Sequence, residues 1–564
     1  MELSPRKRRL LSLAVPAVLL LAALALYGFD YTVNDDVAMV TILNGSYTGT
    51  PDAHAIFIQY PLSWVIAALY TLLPAVSWYR VVLLGIYVLA SAFLLCQLLC
   101  RFPRHSVLAS LLLAGSVALL WLGQMVRFTF STCGAFVSGA VILSYALIPR
   151  EEDLRPGKLL PLLGLFWLSY CIRNYFALAG LLFLGIIWLC KYHDRLLRER
   201  RCWLIPLAGL LGLGLCVGVN TLAYSAPEWQ DFLTYNEERS YVQDYSGIPS
   251  YSDNQELYTA LGLTSAERDT ISRYRYLLTG SFGPEDFHGI YEYVTAREEA
   301  PEPLGQTALR TFKDTVRRYL LCSSETVGPL QVASIALPVL LLAAAVWFSI
   351  RDRRHWWVFP LLILLGLACM WLYICYQGRY PPRVALSLRI LTVTASAAGL
   401  TLLLVQRPLH LPGQLLARRG ASAAAVLAAL VLLGVGLGAT WLRAGREPAY
   451  QRASFYTYAD EHPENVYLRD TQLTMFGSEE HPSLNTLNTG SWLHFSPLYE
   501  RKLERLGLRE VNRDTLLEPN VYLITAAKET QLRAVLGLSE DTPIQYEVAE
   551  QLDSVYVYQI HAIG

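Results

Sequence analysis

The chain is poor in charge and has no excess of either sign. Of its 564 residues only 16% are Asp, Glu, Lys or Arg, the 46 basic residues are matched by 46 acidic ones, and the pI is about 7.1. Such a balance gives no ground for a nucleic-acid or acidic partner, so only the placement of charge can inform. The ten cysteines fall in or beside hydrophobic stretches, and the two long polar regions hold almost none. That argues against a disulfide framework, and Cys96 and Cys100 lack the further His or Cys ligands of a zinc site. Internal repeats and low-complexity segments are absent too.

What the chain has in quantity is hydrophobic sequence. At 54% hydrophobic residues and a mean hydropathy of +0.34 it is too apolar for a soluble protein of this length and reads as a polytopic, α-helical membrane protein. Residues 6–9 are basic and residues 10–28 uninterruptedly apolar. Ala23-Leu24-Ala25 resembles a cleavage site, but the run is long enough to span and the chain beyond it is mostly membrane, so a signal anchor is the better reading. Further hydrophobic segments stand at 61–76, 80–100, 106–124, 128–148, 159–172, 174–190, 203–224, 329–350, 356–376, 384–405 and 421–442. The basic linkers 101–105, 191–201, 351–355 and 407–419 can all face the cytoplasm only if one early segment fails to cross. The shortest run, 61–73, is opened by Pro61 and closed by Pro74, and is expected to be a re-entrant or interfacial helix. About eleven crossings then remain, with the N-terminus cytoplasmic and the C-terminus outside.

This topology divides the chain into a membrane core over 1–224, whose first external loop is 29–79, and an extracytoplasmic helical insertion over 225–328. Membrane helices over 329–442 and a small external α/β domain over 445–564 complete it. The insertion is too long for a connector and is rich in tyrosine and mixed charge, as in Tyr235-Asn236-Glu237-Glu238-Arg239 and Tyr274-Arg275-Tyr276. Its aromatic residues suit either a stacking surface for a ligand or a headgroup-level cover. In the last domain helices are expected over 450–462, 497–508 and 529–538, and strands over 466–469, 521–525, 544–548 and 554–560.

Ionisable residues in membrane segments are expensive, so the few present should mark function. Arg127, Arg173, Arg379 and Arg383 fall at outer ends of spans, and Arg389 lies a turn or two inside one. The span centres otherwise carry no charge, which speaks against an ion-coupled transporter. A single arginine at a span end is commonly a snorkelling anchor. Several on one face suit a phosphate, because the planar guanidinium makes paired charge-assisted hydrogen bonds. Gly378 and the two prolines of Gly378-Arg379-Tyr380-Pro381-Pro382-Arg383 should fix a tight outer loop with two arginines four apart.

The other half of the constellation is Asn34-Asp35-Asp36, directly behind the first span. Val33, Val37, Val40 and Leu43 predict a short helix with Asn34 as N-cap and both acids in its first turn, where backbone N–H groups favour the ionised carboxylate. On local sequence alone the same triplet serves equally well as a plain capping signal. Two adjacent acids could also hold Mg²⁺ or Mn²⁺ with a substrate phosphate, although two ligands are too few to define a metal site. His54 is a candidate second base or substrate contact, against the plainer reading of an exposed loop histidine.

One span, an Asp-Asp pair in the first external loop, His54, Tyr60-Pro61-Leu62 opening a short helix and a late Gly-Arg-Tyr-Pro loop together resemble the GT-C superfamily of integral-membrane glycosyltransferases, to about residue 442. The resemblance implies a GT-C-like fold and transfer of a sugar from a polyprenyl-phosphate donor to a glycan, lipid or protein acceptor of the cell envelope, as in mannosyl- or arabinosyltransferases. It implies Asp35, with Asp36 its neighbour, as catalytic acid-base group on the extracytoplasmic side. Arg379 and Arg383, helped by Arg127, Arg173 and Arg389, are then the expected donor-phosphate ligands. His54, Tyr60, Tyr380 and Asn174 are expected substrate contacts. The pattern departs from the superfamily in having one proline where many members have Pro-Pro-Leu, and Asp-Asp where Asp-Glu is commoner. The C-terminal domain carries no catalytic motif and is expected to recognise the acceptor or dock a partner, so that its removal spares donor hydrolysis. The competing readings are a flippase or transporter of lipid-linked saccharide and a non-enzymatic envelope-assembly scaffold.

Overall fold

The computed structural model describes residues 4–101, 114–117, 120–196, 199–297, 304–320, 328–351, 357–406, 454–473, 484–552 and 554–564. Among them, eight helices are long and apolar enough to cross a membrane: Pro5–Tyr27, Trp78–Arg101, Phe130–Leu147, Asn174–Tyr192, Arg200–Ala223, Pro329–Ile350, Val358–Tyr376 and Pro382–Leu403. A further apolar helix, Pro156–Ile172, is slightly shorter. The expected crossing at 421–442 and most of that at 106–124 lie outside the described residues.

Both flanks of the short helix Tyr60–Leu72 meet one end of the membrane layer. Tyr60 N donates to Asn220 Oδ1 at 2.9 Å, and just beyond the helix Tyr79 Oη donates to Asp36 at 2.7 Å. It therefore enters and leaves on one side, as the proline-bounded run predicts. Basic residues gather at the opposite end: Arg8 reaches Cys100 Sγ at 3.5 Å, Lys158 Nζ donates to Gln97 Oε1 at 2.6 Å, and Lys191 Nζ donates to Tyr145 O at 2.7 Å.

Phe130–Leu147 is the central helix, buried along its length apart from Leu143. It is lined by Gly, Ala, Ser and Thr, and small residues let membrane helices approach closely. At Gly139 an added Cβ would stand 2.5 Å from Thr394 Oγ1, so helix Pro382–Gln406 can lie against it only because that side chain is missing.

The polar layer corrects one expectation. Insertion and C-terminal region form one body, because a single hydrophobic core holds Trp229, Phe232, Tyr276 and Phe287 together with Leu468, Leu498, Leu523 and Tyr558. Arg275 Nε and Nη2 bind Asp470 Oδ1 and Oδ2 at 2.7 and 2.9 Å across that core. Removing the C-terminal part would strip the insertion of its packing, so it is not a detachable module. The sheet has strand order β4-β3-β5-β7-β6, with β3 (Val466–Arg469) parallel to β4 (Thr486–Asn488) and β5 (Val521–Thr525). β7 (Val555–Ile563) runs antiparallel to β5 and to β6 (Ile544–Leu552). Four strands and the helices Ser454–Glu461 and Pro497–Leu506 fall where the pattern predicts them. Strand β4, only three residues long, is not among the expected strands.

Candidate functional site

A cavity of about 500 Å³ lies between the membrane helices and the polar layer. Its floor is the helix Asn34–Leu43. The helix starts at Asn34, with Val33 in the N-cap position and no side-chain cap, so Asn34 is one residue inside its expected place. At 100° per residue, Asn34, Asp35, Val37, Ala38 and Thr41 share one face, and they line the cavity. Asp36, Met39, Val40 and Leu43 take the other face, the last three joining the membrane-layer core.

The two neighbouring acids thus have different surroundings. Asp35 Oδ2 lies 3.0 Å from Arg383 Nη2 at the cavity. Asp36 is fully buried and accepts from Tyr79 Oη and, at 3.0 Å, from the backbone N–H of Phe130, the first residue of the central helix. Asp36 therefore caps that helix and fixes the floor to the core. Burial, with a smaller push from Asp35, raises its pKa to about 7 against the hydrogen bonds that favour its anion. The pair does not present two carboxylates to one ion. Among the described residues no group of three or more His, Cys, Asp or Glu is placed to hold a metal.

The late arginines reach the cavity through the turn that glycine permits. Gly378 takes φ +74°, a conformation open to it without a Cβ penalty, and Pro382 begins the next helix with Arg383 second in it. Arg379 Nη1 lies 3.2 Å from Asp244 Oδ2 of the polar layer, and its guanidinium stands over the Tyr245 ring at 5.3 Å. Arg173, between two helices, stands over the rings of Phe130 and Tyr175 at 5.0 and 5.1 Å. Burial above all, then the neighbouring guanidiniums of Arg383 and Arg379, make Arg173 a weaker base than usual.

The remaining expected site residues are engaged elsewhere and are not in the cavity lining. Arg127 pairs with Asp30 at 2.6 Å across the short parallel ladder of β1 (Asp30–Tyr31) and β2 (Arg127–Phe128). Arg389 is buried, donating to Ser334 Oγ at 2.8 Å and to the last carbonyls of helix Leu304–Leu320 at Arg318 and Tyr319. His54 is partly buried rather than an exposed loop residue: Nδ1 is 2.7 Å from Asp52, Nε2 is 3.2 Å from Ala223 O, and the ring stacks on Trp229 at 4.5 Å. Hydrogen bonds from His54 and Arg501 outweigh burial and hold Asp52 below the usual carboxylate range. Tyr60 packs beside His54, Tyr380 beside Trp371 and under Arg318, and Asn174 accepts from the Tyr175 N–H.

Much of the lining was not expected as site residues from sequence, although Asn236, Arg239 and Tyr274 stand in the insertion's aromatic and charged runs. Asn236, Arg239, Asp244 and Tyr274 come from the insertion, and Arg469, Thr471, Asn488, His494 and Lys502 from the C-terminal region. Arg469 and Asn488 end the parallel strands β3 and β4, the edge where open α/β sheets place ligands.

No family model and no curated protein matches this chain. Among solved structures it is similar to the crystal structure of ArnT from Cupriavidus metallidurans bound to undecaprenyl phosphate, at 13% identity and a TM-score of 0.41 over 98% of each chain.

Proposed function

We propose that this protein is a membrane glycosyltransferase that moves a sugar from a polyprenyl-phosphate donor to a cell-envelope acceptor on the extracytoplasmic face. The observation that carries the reading is the Asp35–Arg383 pair at 3.0 Å inside a cavity bounded by membrane helices and the polar layer. The pair brings into one cavity the two kinds of group that such a transfer uses, a carboxylate to act as base and a guanidinium suited to a phosphate; because the two act on opposite sides of the sugar in an inverting transfer, the bound donor parts them. Asp35 takes the proton of the acceptor hydroxyl as its oxygen attacks the anomeric carbon. The bond from that carbon to the phosphate oxygen breaks on the opposite side, and its electron pair leaves with the polyprenyl phosphate. Arg383, Arg379 and Arg173 receive the growing negative charge. Asp36 serves as the positioning residue for Asp35, and Arg127 and Arg389 hold helix ends.

The lipid tail of such a donor would lie among the spans, which places the reaction at the membrane surface. Purified protein incubated with a synthetic polyprenyl-phosphate sugar should release polyprenyl phosphate. Absence of release by the wild-type chain, with water or added hydroxyl acceptors, would refute the reading.

A further inference from the structure

On the transferase reading, the cavity has one anion to bind at its membrane side, yet its cations are too many for one. Arg173, Arg239, Arg379, Arg383, Arg469 and Lys502 line it against two carboxylates, Asp35 and Asp244. Those carboxylates pair with Arg383 and Arg379, both on the membrane side. The three cations of the polar layer have no carboxylate within 4.0 Å among the described residues and are held by neutral groups. Arg239 donates to Asn236 Oδ1 and Gln243 Oε1, Arg469 to Asn488 Oδ1, and Lys502 Nζ to the carbonyl of Leu484.

Two of the three are desolvated as well, Arg239 being 6% and Lys502 1% exposed, and Arg469 is partly exposed. Burial, with the charge of Arg505 behind it, brings Lys502 down to about 7. Burial and then the charge of Arg239 bring His494, on the same wall, down to about 3, so that side chain adds no cation. Charges buried without a counter-charge are costly, and a site that keeps them is suited to a ligand that brings the opposite charge. Guanidinium forks beside an ammonium fit an oxyanion.

We propose that Arg239, Arg469 and Lys502 form a second anion subsite, which receives a phosphoryl or carboxylate group carried by the sugar acceptor. The acceptor is therefore an anionic hydroxyl compound. Its oxyanion sits at the carboxyl ends of β3 and β4, and its hydroxyl is directed across the cavity toward Asp35.

The test uses the full chain in detergent. Equilibrium binding of inorganic phosphate should show two sites; Arg383→Gln should weaken one, and Arg469→Gln, at a partly exposed position, should weaken the other at least tenfold. A thermal melt confirms that each variant is folded. One phosphate per chain, or two sites indifferent to Arg469→Gln, would overturn the subsite. With a polyprenyl-phosphate sugar as donor, glucose 6-phosphate should be used at least tenfold better than glucose, and Arg469→Gln should erase that preference. Two phosphate sites with no such preference would mean that free phosphate fills the subsite, and would overturn its assignment to the acceptor. Failure of the wild-type chain to turn over the donor would instead count against the transferase reading, and the phosphate stoichiometry would still decide the subsite.

Discussion

Asp35 and Arg383 meet at 3.0 Å although one opens a short helix behind the first span and the other opens the helix Pro382–Gln406. The contact joins segments from the beginning and the end of the described membrane helices at a cavity that neither segment forms alone. It also separates residues that border the cavity from residues that hold the scaffold.

Arg383→Gln should lower donor turnover by about 10² to 10³-fold, the effect of losing one preorganised charge-stabilising contact, with the fold retained. Arg127→Gln and Arg389→Gln should act on stability instead, because each of those side chains is buried against Asp30 or the carbonyls at the end of Leu304–Leu320. Turnover per folded molecule, measured alongside a thermal melt, checks the contrast. A catalytic loss for Arg389→Gln equal to that of Arg383→Gln, without a change in melting, would contradict it.

Asp36 should make stability fall as pH rises. The folded state keeps its proton up to about pH 7, whereas an unfolded carboxyl loses it near 3.8, so the folded state binds more protons between those values. Stability contributed by the protonated form is full below about pH 4 and is lost as pH rises to about 7. Asp36→Asn cannot ionise and still accepts from Tyr79 and Phe130. Its melting temperature should therefore decline less over that interval, and an unchanged slope would show that Asp36 does not titrate there.

Asp470→Ala should destabilise the polar layer by about 3 to 5 kcal/mol, since it leaves Arg275 buried without its counter-charge. Thr525 Oγ1 and the Gln472 N–H would lose their acceptor as well. A shift in chemical or thermal unfolding of the full chain would show this, and a change under about 1 kcal/mol would mean that the shared core alone joins the insertion to the C-terminal region.

The floor of the site was legible because an apolar chain makes each ionisable residue conspicuous: Asp35, Arg173, Arg379 and Arg383 all stand out, and all border the cavity. Which acid faces it was not legible from composition. It depends on the helical phase, which sends Asp35 one way and Asp36 about 100° round toward Tyr79. Arg127 and Arg389 stand out for the same reason yet are helix-end and ladder partners, since burying an arginine needs acceptors wherever it occurs. The C-terminal part of the polar-layer wall escaped notice for a different reason. Arg469 and Asn488 become neighbours only through the parallel pairing of β3 with β4, a long-range contact with no local signal. His54, an expected substrate contact with an exposed loop histidine as the plainer reading, is partly buried outside the cavity lining because its partners Ala223 and Trp229 lie far along the chain.

The central claim is that Asp35 carries the chemistry and Asp36 the architecture. The most direct measurement is release of polyprenyl phosphate from a synthetic polyprenyl-phosphate sugar by the wild-type chain, Asp35→Asn and Asp36→Asn, each confirmed as folded. Loss of at least 10²-fold is expected for Asp35→Asn, in the range for removal of a general base, with Asp36→Asn close to wild type at pH 7. Wild-type turnover by Asp35→Asn would contradict the account.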